Sequence, residues 1–216
     1  MSNKILLVFE GEKTESLVAN SLIASLIEQT SNLVEAVYKT HIYNLYTEVI
    51  NDPFLDIFHV IKEKNPHLSH FDRDEFSQIY LFFDYDGHVG GALDQKIEVL
   101  LEYFNEESEN GKLFISYPMV EAIRCIQDLE DLDLFLNATY KKSDFKQFKA
   151  FVHSYGIQKL QNYAHYSSDV KEKLISFHCK KANYLVNNDL NYPNEPIDQT
   201  EIFRSQQEKF IYITED

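Results

Sequence analysis

The sequence predicts an α/β fold in which a mostly parallel sheet of four or more strands is flanked by helices. Two observations support this prediction. Short apolar runs recur between segments of helical spacing, and the resulting strands and helices alternate four times before residue 126, which is typical of a parallel α/β sheet. Runs that are apolar throughout suit strands buried on both faces, as in parallel sheets. A chain of 216 residues, 44% of them hydrophobic, is long enough to bury such a core.

Two strand–helix units are predicted in the first part of the chain. Residues 5–9 form a continuous apolar run, and an acidic loop separates them from an amphipathic helix whose apolar stripe covers residues 17–27. Residues 33–43 alternate in the manner of a second strand. Helical spacing then extends over residues 47–64, with Pro53 in the first turn or at a break.

Two further units complete the predicted α/β domain, which ends at residue 126. Residues 79–84 form a buried strand, followed by a glycine-rich turn and a helix over residues 93–104. A fourth strand covers residues 112–117, and Pro118 stops it before a helix over residues 119–126.

The remainder of the chain, residues 127–216, is predicted to be a helical extension packed on this domain. The alternation of Ile211 and Ile213 leaves a short terminal strand as an alternative for the last residues. Helical spacing covers residues 145–152, 157–163, 170–185 and 200–211.

The strongest chemical signal is the acidic pair that follows the third strand. Asp84 and Asp86 are two residues apart, with Gly87 directly behind them. Alternate residues of an extended segment point the same way, so both carboxylates are expected to aim at one point. Like charges that close repel unless a cation lies between them, and a hard ion such as Mg²⁺ takes oxygen ligands. The competing interpretation is an acidic turn at the end of a core strand.

Two other carboxylates belong to the same pattern. Glu10 follows the first predicted strand and Glu121 follows the fourth, just as Asp84 and Asp86 follow the third. Active sites of parallel α/β sheets form beyond the carboxyl ends of the strands. The four side chains are therefore expected to lie at one edge of the sheet.

These motifs resemble those of the Toprim domain, in which one strand ends in Glu-Gly and a later strand ends in Asp-x-Asp. Residues 8–15 (VFEGEKTE) and 116–121 (SYPMVE) are most similar to the small RloB-like and abortive-infection-associated bacterial proteins, relatives of the overcoming-lysogenization-defect nucleases. The resemblance covers about residues 4–126. It implies a Toprim-like fold and metal-dependent phosphodiester hydrolysis of nucleic acid, DNA more than RNA, in anti-phage defence.

The resemblance also implies roles for the acidic residues. Glu10 is expected to be a metal ligand or the general acid/base of strand cleavage, and Asp84 and Asp86 are expected to hold Mg²⁺ or Mn²⁺. Glu121 is expected to complete a second metal position. Candidate accessory residues lie close to these positions in the sequence: Glu12, Lys13, Glu15 and His88.

The resemblance bears on partners too. The related nucleases carry an ATPase, and this sequence has no Walker motif, so a separate ATPase or effector is an expected protein partner. A homo-oligomer is also compatible with the sequence. No apolar run approaches the ~18 residues of a membrane span. Cys125 and Cys179 lack a CxxC neighbour and are expected to be buried thiols of a cytoplasmic protein.

Alternatives from other functional classes stay open. A net charge of −15 opposes unaided binding to nucleic acid and favours a non-catalytic Toprim-like regulatory or docking subunit that binds a divalent metal. Phosphate-ester chemistry on a small substrate is a third interpretation. Local positive charge beside aromatic residues occurs in residues 141–151 and at Lys180–Lys181, where a nucleic-acid contact and a solvated helix face are both compatible with the sequence.

Overall fold

The computed structural model describes residues 4–11, 14–22 and 32–211. The chain divides into two compact units, Met1–Val120 and Glu121–Asp216. The sequence placed its division after residue 126, where the last predicted helix of the α/β domain ends.

The first unit contains a five-stranded sheet with the order β2-β1-β3-β5-β4. Neighbours among the four longer strands run parallel, and the two-residue strand β4 pairs antiparallel with β5. The prediction of an α/β fold with a mostly parallel sheet is confirmed, and the architecture is compatible with a Rossmann-like fold. The strands are β1 (Lys4–Phe9), β2 (Leu33–Val37), β3 (Phe76–Asp84), β4 (Asn105–Glu106) and β5 (Gly111–Ser116).

The apolar runs of the sequence become the buried centre of this sheet. Leu6, Leu7 and Val8 of β1 are buried, as expected for a strand covered on both faces. Near the carboxyl end, Phe82 of β3 pairs in register with Phe9 and Phe114. Its ring stacks on both, with centroid distances of 5.4 and 5.5 Å. This aromatic row fixes three strands side by side just before the edge that carries the acidic residues.

Four α-helices flank the sheet within the described part of the first unit: α1 (Thr14–Leu22), α2 (Ile42–Asn51), α3 (Ile57–Lys64) and α4 (Asp94–Tyr103). The helical spacing expected over residues 47–64 belongs to two helices, and Pro53 lies in the break between them, which is one of the two positions that the sequence left open for it. Proline disfavours helical geometry in the residue before it, and Asp52 is extended, with φ −135°. Asp56 then restarts the helix by accepting hydrogen bonds from Phe58 N and His59 N.

The second strand is shorter than its alternation suggests. β2 ends at Val37 instead of continuing to residue 43, and Lys39 then adopts a positive φ of 71° that takes the chain out of the sheet. The apolar residues that continue the pattern belong to α2, where Ile42, Leu45 and Val49 are buried at helical spacing. A short apolar alternation that runs into a helix start cannot be separated from a strand by periodicity alone.

In the second unit, all the regular secondary structure of the described residues is helical. Its α-helices are α5 (Leu132–Asn137), α6 (Phe148–Tyr155), α7 (Ser168–Asn187) and α8 (Gln199–Ile211). The expected helix over residues 157–163 is wrong, because only two short 3₁₀ turns occur there, Gln158–Leu160 and Tyr163–His165. The alternative of a terminal strand around Ile213 lies outside the described residues.

The helix expected over residues 119–126 is a five-residue 3₁₀ segment, Val120–Arg124. So short a segment gains little from α-helical hydrogen bonds, because nucleation fixes several residues for each early bond. The carbonyl of Ile126 instead accepts a hydrogen bond from Ile157 N at 3.0 Å. Gly156 comes so close that a Cβ there would lie 2.5 Å from Arg124 O. This segment is therefore shaped by its tertiary neighbours.

The sequence also led to expectations about membrane spans and about the two cysteines. Among the described residues, no helix combines the length and the apolar character needed to cross a membrane. Cys125 and Cys179 are free thiols, and both are half-buried, so the burial expected for them is found only in part.

Candidate active site at the carboxyl edge of the sheet

The strand order places a topological switch point between β1 and β3. The chain leaves β1 for β2 on one side and returns to β3 on the other side of β1. Helices at such a point depart to opposite faces, which opens a crevice beyond the carboxyl ends of the two strands, where ligands of α/β proteins bind. Glu10 directly follows β1 and Asp84 is the last residue of β3. The predicted acidic residues therefore flank this point.

Glu10 and Asp84 are in direct contact. The Glu10 carboxylate oxygen Oε2 accepts a hydrogen bond from Asp84 N at 3.0 Å. The Glu10 backbone is held as well, because its N–H donates to Phe82 O and its carbonyl accepts from Lys39 N, both at 3.0 Å. Backbone bonds to β3 and to the turn after β2 thus fix the Glu10 side chain over the end of β3.

Asp84 is nearly enclosed, with 8% of its surface exposed. Its carboxylate oxygen Oδ1 accepts a hydrogen bond from Val120 N at 2.8 Å. Burying a carboxylate is costly without such donors, so this bond offsets part of the desolvation. A carboxylate offers about four lone-pair sites, and the bond from Val120 is compatible with a further ligand.

Asp86 does not continue the extended strand. β3 ends at Asp84, and Asp86 adopts the left-handed conformation, with φ 47°. The expectation that alternation along an extended segment aims both aspartates at one point is therefore wrong in its geometry. Asp86 N donates to Pro118 O at 3.3 Å, and the nearest Asp86 oxygen lies 4.0 Å from His88 Nδ1. His88 is thus a neighbour of Asp86, as its position in the sequence suggested.

Close packing between Tyr85 and Gly87 shapes this turn. A Cβ on Gly87 would lie 2.4 Å from Tyr85 Cε1, far inside van der Waals contact, so only glycine leaves room for the ring. The Tyr85 backbone N–H donates to Ser116 O at 3.0 Å. The chain is therefore pinned to the end of β5 at Tyr85 before it turns through Asp86.

A tyrosine network that sequence reasoning missed supports the same turn. The Tyr85 hydroxyl donates a short hydrogen bond to Asp94 Oδ1 at the start of α4, and the Tyr43 hydroxyl donates to Tyr85 O at 3.0 Å. Burial, with the nearby Asp94 charge, raises the pKa of Tyr43, Tyr85 and Tyr117 well above its usual range. The hydroxyls therefore remain protonated at neutral pH, and those of Tyr43 and Tyr85 donate the two hydrogen bonds of this network.

Glu121 is the first residue of the second unit and is buried. Its Oε1 lies 3.2 Å from Lys149 Nζ, while Oε2 has no hydrogen-bond partner among the described residues. The ion pair with Lys149 gives the side chain a structural role inside this unit. Its expected role in a second metal position stays a prediction.

The accessory residues after β1 are covered only in part. Glu12 and Lys13 lie outside the described residues, and Glu15 is described as a position in α1 without its side chain. Lys39 is a lysine that sequence reasoning did not connect with the site, and the fold brings its backbone to Glu10. A sequence motif could not have shown this, because the two residues belong to different strand–loop segments.

The described residues bring few metal ligands together. They contain no group of three or more His, Cys, Asp or Glu side chains placed to hold a metal. Mg²⁺ usually keeps several waters and is bound through one or two carboxylates together with substrate phosphates. Glu10 and Asp84 supply two carboxylates at neighbouring strand ends, which is the number of protein ligands that this mode of binding needs.

Comparisons with protein-family models, with curated proteins and with solved structures gave no match to this chain. The Toprim resemblance therefore stays a prediction carried by the motifs at Glu10 and at Asp84–Asp86.

Proposed function

We propose that the chain is a metal-dependent nuclease whose site lies at the switch point between β1 and β3. The contact between Glu10 and Asp84 is the observation that carries the proposal. Glu10 directly follows β1 and Asp84 ends the neighbouring strand β3, at the point where α/β proteins bind ligands, and Asp84 is nearly enclosed there. The Toprim resemblance adds the expected class of reaction, which is phosphodiester hydrolysis.

The residues of the chain have distinct tasks in this proposal. Glu10 and Asp84 would hold Mg²⁺ or Mn²⁺ together with phosphate oxygens of the substrate, and Asp86 would approach from the adjoining turn. Asp84 N and Val120 N orient the two carboxylates through their hydrogen bonds. A bound divalent ion lowers the pKa of its water and neutralises charge on the reacting phosphate.

Cleavage assays test the proposal directly. Supercoiled plasmid, single-stranded DNA and structured RNA are incubated with Mg²⁺ or Mn²⁺ and the wild type, Asp84→Asn or Asp74→Asn. Asp74 is a matched control, because it is an exposed aspartate at the opposite end of β3. We expect cutting by the wild type and by Asp74→Asn and none by Asp84→Asn. Equal cutting by all three proteins would place the activity elsewhere and overturn the proposal.

A non-catalytic docking or regulatory subunit is the second candidate, and the net charge of −15 favours it because that charge opposes unaided binding to nucleic acid. Each of the two central carboxylates accepts a backbone hydrogen bond that fastens one strand end to a neighbouring segment. The same contacts would be needed in a module that only binds a partner such as a separate ATPase. Absence of cutting on all three substrates with either metal would favour this candidate over the nuclease.

The biological setting of the proposal comes from the resemblance alone. Anti-phage defence and a preference for DNA are features expected of the similar bacterial proteins. Survival of phage-infected bacteria that express the wild type or Asp84→Asn tests that setting. Equal survival of both strains would contradict a defence role that depends on this site.

A further inference from the structure

One segment of the second unit has a charge opposite to that of the chain. Residues 139–159 contain five lysines and one acidic residue, Asp144, which gives a local net charge of +4 in a chain whose net charge is −15. The lysines are Lys141, Lys142, Lys146, Lys149 and Lys159, and all five are exposed. A quarter of the 20 basic residues therefore lie in one short segment.

The segment folds so that its lysines are exposed while two of its phenylalanines are buried. It begins with the 3₁₀ helix Lys142–Gln147 and continues into α6. Phe145 and Phe148 are buried beneath the helices and anchor the segment to its own unit. Lys142, Lys146 and Lys149 are exposed at positions three or four residues apart, as expected for one face of a helix.

Half-buried rings accompany the lysines. Tyr140, Phe151 and Tyr155 are each only partly covered. The Phe151 ring lies 4.7 Å from the ring of Tyr140 and stacks on Tyr155 at 4.8 Å between centroids. The three rings thus form a continuous aromatic row beside the basic residues.

We propose that this lysine–aromatic surface, made of Lys141, Lys142, Lys146, Tyr140, Phe151 and Tyr155, binds single-stranded nucleic acid. Lysines supply the affinity for phosphates, and aromatic faces stack on unpaired bases without regard to sequence. The combination selects single strands, because the bases of a duplex are already stacked on each other.

Neighbouring cations contribute less to the surface. Lys149 Nζ lies 3.2 Å from Glu121 Oε1, which neutralises part of its charge. Lys181 is excluded, because its Nζ donates to Phe135 O and Ala138 O at the end of α5, at 2.9 and 2.7 Å. In the second basic stretch of the sequence, Lys180–Lys181, the Lys181 side chain therefore caps the end of α5 and is not available to bind phosphates.

An anionic membrane is the other polyanion that a basic amphipathic helix could meet. Membrane-surface helices insert a wide apolar face below the headgroups. Here the two phenylalanines that would form that face, Phe145 and Phe148, are buried in the protein. The partly covered rings offer a stacking surface instead, which favours nucleic acid.

The inference deepens the proposed function by naming single strands as the substrate form, and in that respect it rests on the proposed function. Binding itself needs no metal, so it is measured in EDTA, where cleavage is blocked. Fluorescence anisotropy of a labelled single-stranded oligonucleotide is followed against salt concentration. The proteins compared are the wild type, Lys142→Gln with Lys146→Gln, and the control Lys171→Gln with Lys173→Gln from α7.

We expect the wild type and the α7 control to bind, and the Lys142/Lys146 variant to bind more weakly. The slope of log K against log salt should fall in magnitude by about 1.4 in that variant, since each lysine on a single strand contributes about 0.7. Tyr155→Leu should weaken binding to the single strand more than binding to a duplex of the same sequence.

Three results would overturn the inference: no binding by the wild type at low salt, equal weakening in both lysine pairs, or binding to anionic vesicles without binding to the oligonucleotide. Loss of oligonucleotide binding in the Lys142/Lys146 variant, combined with no cleavage by the wild type in Mg²⁺ or Mn²⁺, would support the surface while contradicting the nuclease. The two proposals therefore fail separately.

Discussion

The carboxylate of Glu10 accepts a hydrogen bond from the backbone N–H of Asp84 at the switch point between β1 and β3. The bond joins the end of β1 to the end of β3, two strands separated along the sequence by α1, β2, α2 and α3. It gives one acidic residue a fixed orientation over the other. Each of the two carboxylates thus accepts a hydrogen bond from a backbone donor before any cation is considered.

Replacing Asp84 by alanine should destabilise the protein more than replacing it by asparagine. Asp84→Ala leaves the buried Val120 N–H without its acceptor and should lower the free energy of unfolding by about 1–3 kcal/mol relative to Asp84→Asn, which retains an acceptor oxygen. Both changes remove the same charge, so their difference isolates the hydrogen bond. Urea denaturation measures it, and equal stability of the two variants would contradict the contact with Val120.

Gly87 and Gly90 form a matched pair in the same loop. Gly87→Ala should lower the free energy of unfolding by about 1–3 kcal/mol, because the added Cβ would lie 2.4 Å from the Tyr85 ring. Gly90→Ala should change it by less than about 0.5 kcal/mol, since none of the described atoms lies within 4 Å of the added group. Thermal unfolding compares them, and similar losses in both variants would argue against the close packing of Tyr85.

The Tyr85 hydroxyl should stabilise the turn before α4. Tyr85→Phe removes a hydrogen bond to the Asp94 carboxylate and should cost about 1.5–3 kcal/mol, the range for bonds to charged groups. Tyr103→Phe, which removes a bond to Leu55 O, is the control and should cost about 0.5–1.5 kcal/mol. Denaturant midpoints at constant slope provide the measurement. A smaller loss for Tyr85→Phe than for Tyr103→Phe would count against the role of Asp94.

His178 should make the stability of the chain depend on pH in the acid range. Burial lowers the pKa of His178 to about 4, and its Nε2 lies 3.2 Å from Ile123 O. In the unfolded chain a histidine takes up its proton near pH ~6.5, whereas the folded one stays neutral until about pH 4. The free energy of unfolding should therefore fall as the pH is lowered between these values.

The slope of stability against pH, measured by denaturation at several pH values, tests this assignment. The glutamine side chain of His178→Gln cannot titrate. Between about pH 6.5 and 4, the free energy of unfolding of this variant should therefore depend less steeply on pH than that of the wild type, by an amount equal to the uptake of at most about one proton on unfolding. A variant that keeps the wild-type slope would show that His178 does not carry this dependence.

Local patterns predicted the parts of the fold that local chemistry determines. The buried runs of β1 and β3 and the helix α4 follow from apolar periodicity, and Pro53 marked the break between α2 and α3. The positions of Glu10 and Asp84 at strand ends could be read in the same way. Their meeting depended on the parallel order of the strands, which the alternation of strand and helix anticipated.

Other parts of the site depend on contacts that no local pattern encodes. Tyr43 reaches Tyr85 O across 42 positions of sequence, and Lys39 reaches Glu10 from the turn after β2. Periodicity says which residues are buried, and it does not say which loops meet. Asp86 shows a different limit, because the packing of Tyr85 on Gly87 turns the chain just where extended geometry was expected.

The central claim is that Glu10 and Asp84 form a site for a divalent cation, and Mn²⁺ binding followed by electron paramagnetic resonance tests it most directly. The wild type, Asp84→Asn and the control Asp74→Asn are titrated with Mn²⁺ under identical conditions. We expect the wild type and Asp74→Asn to bind Mn²⁺ alike and Asp84→Asn to bind it more weakly, since the variant loses one of two carboxylate ligands. If Asp84→Asn binds Mn²⁺ as well as the wild type does, the cation site is not at the switch point between β1 and β3.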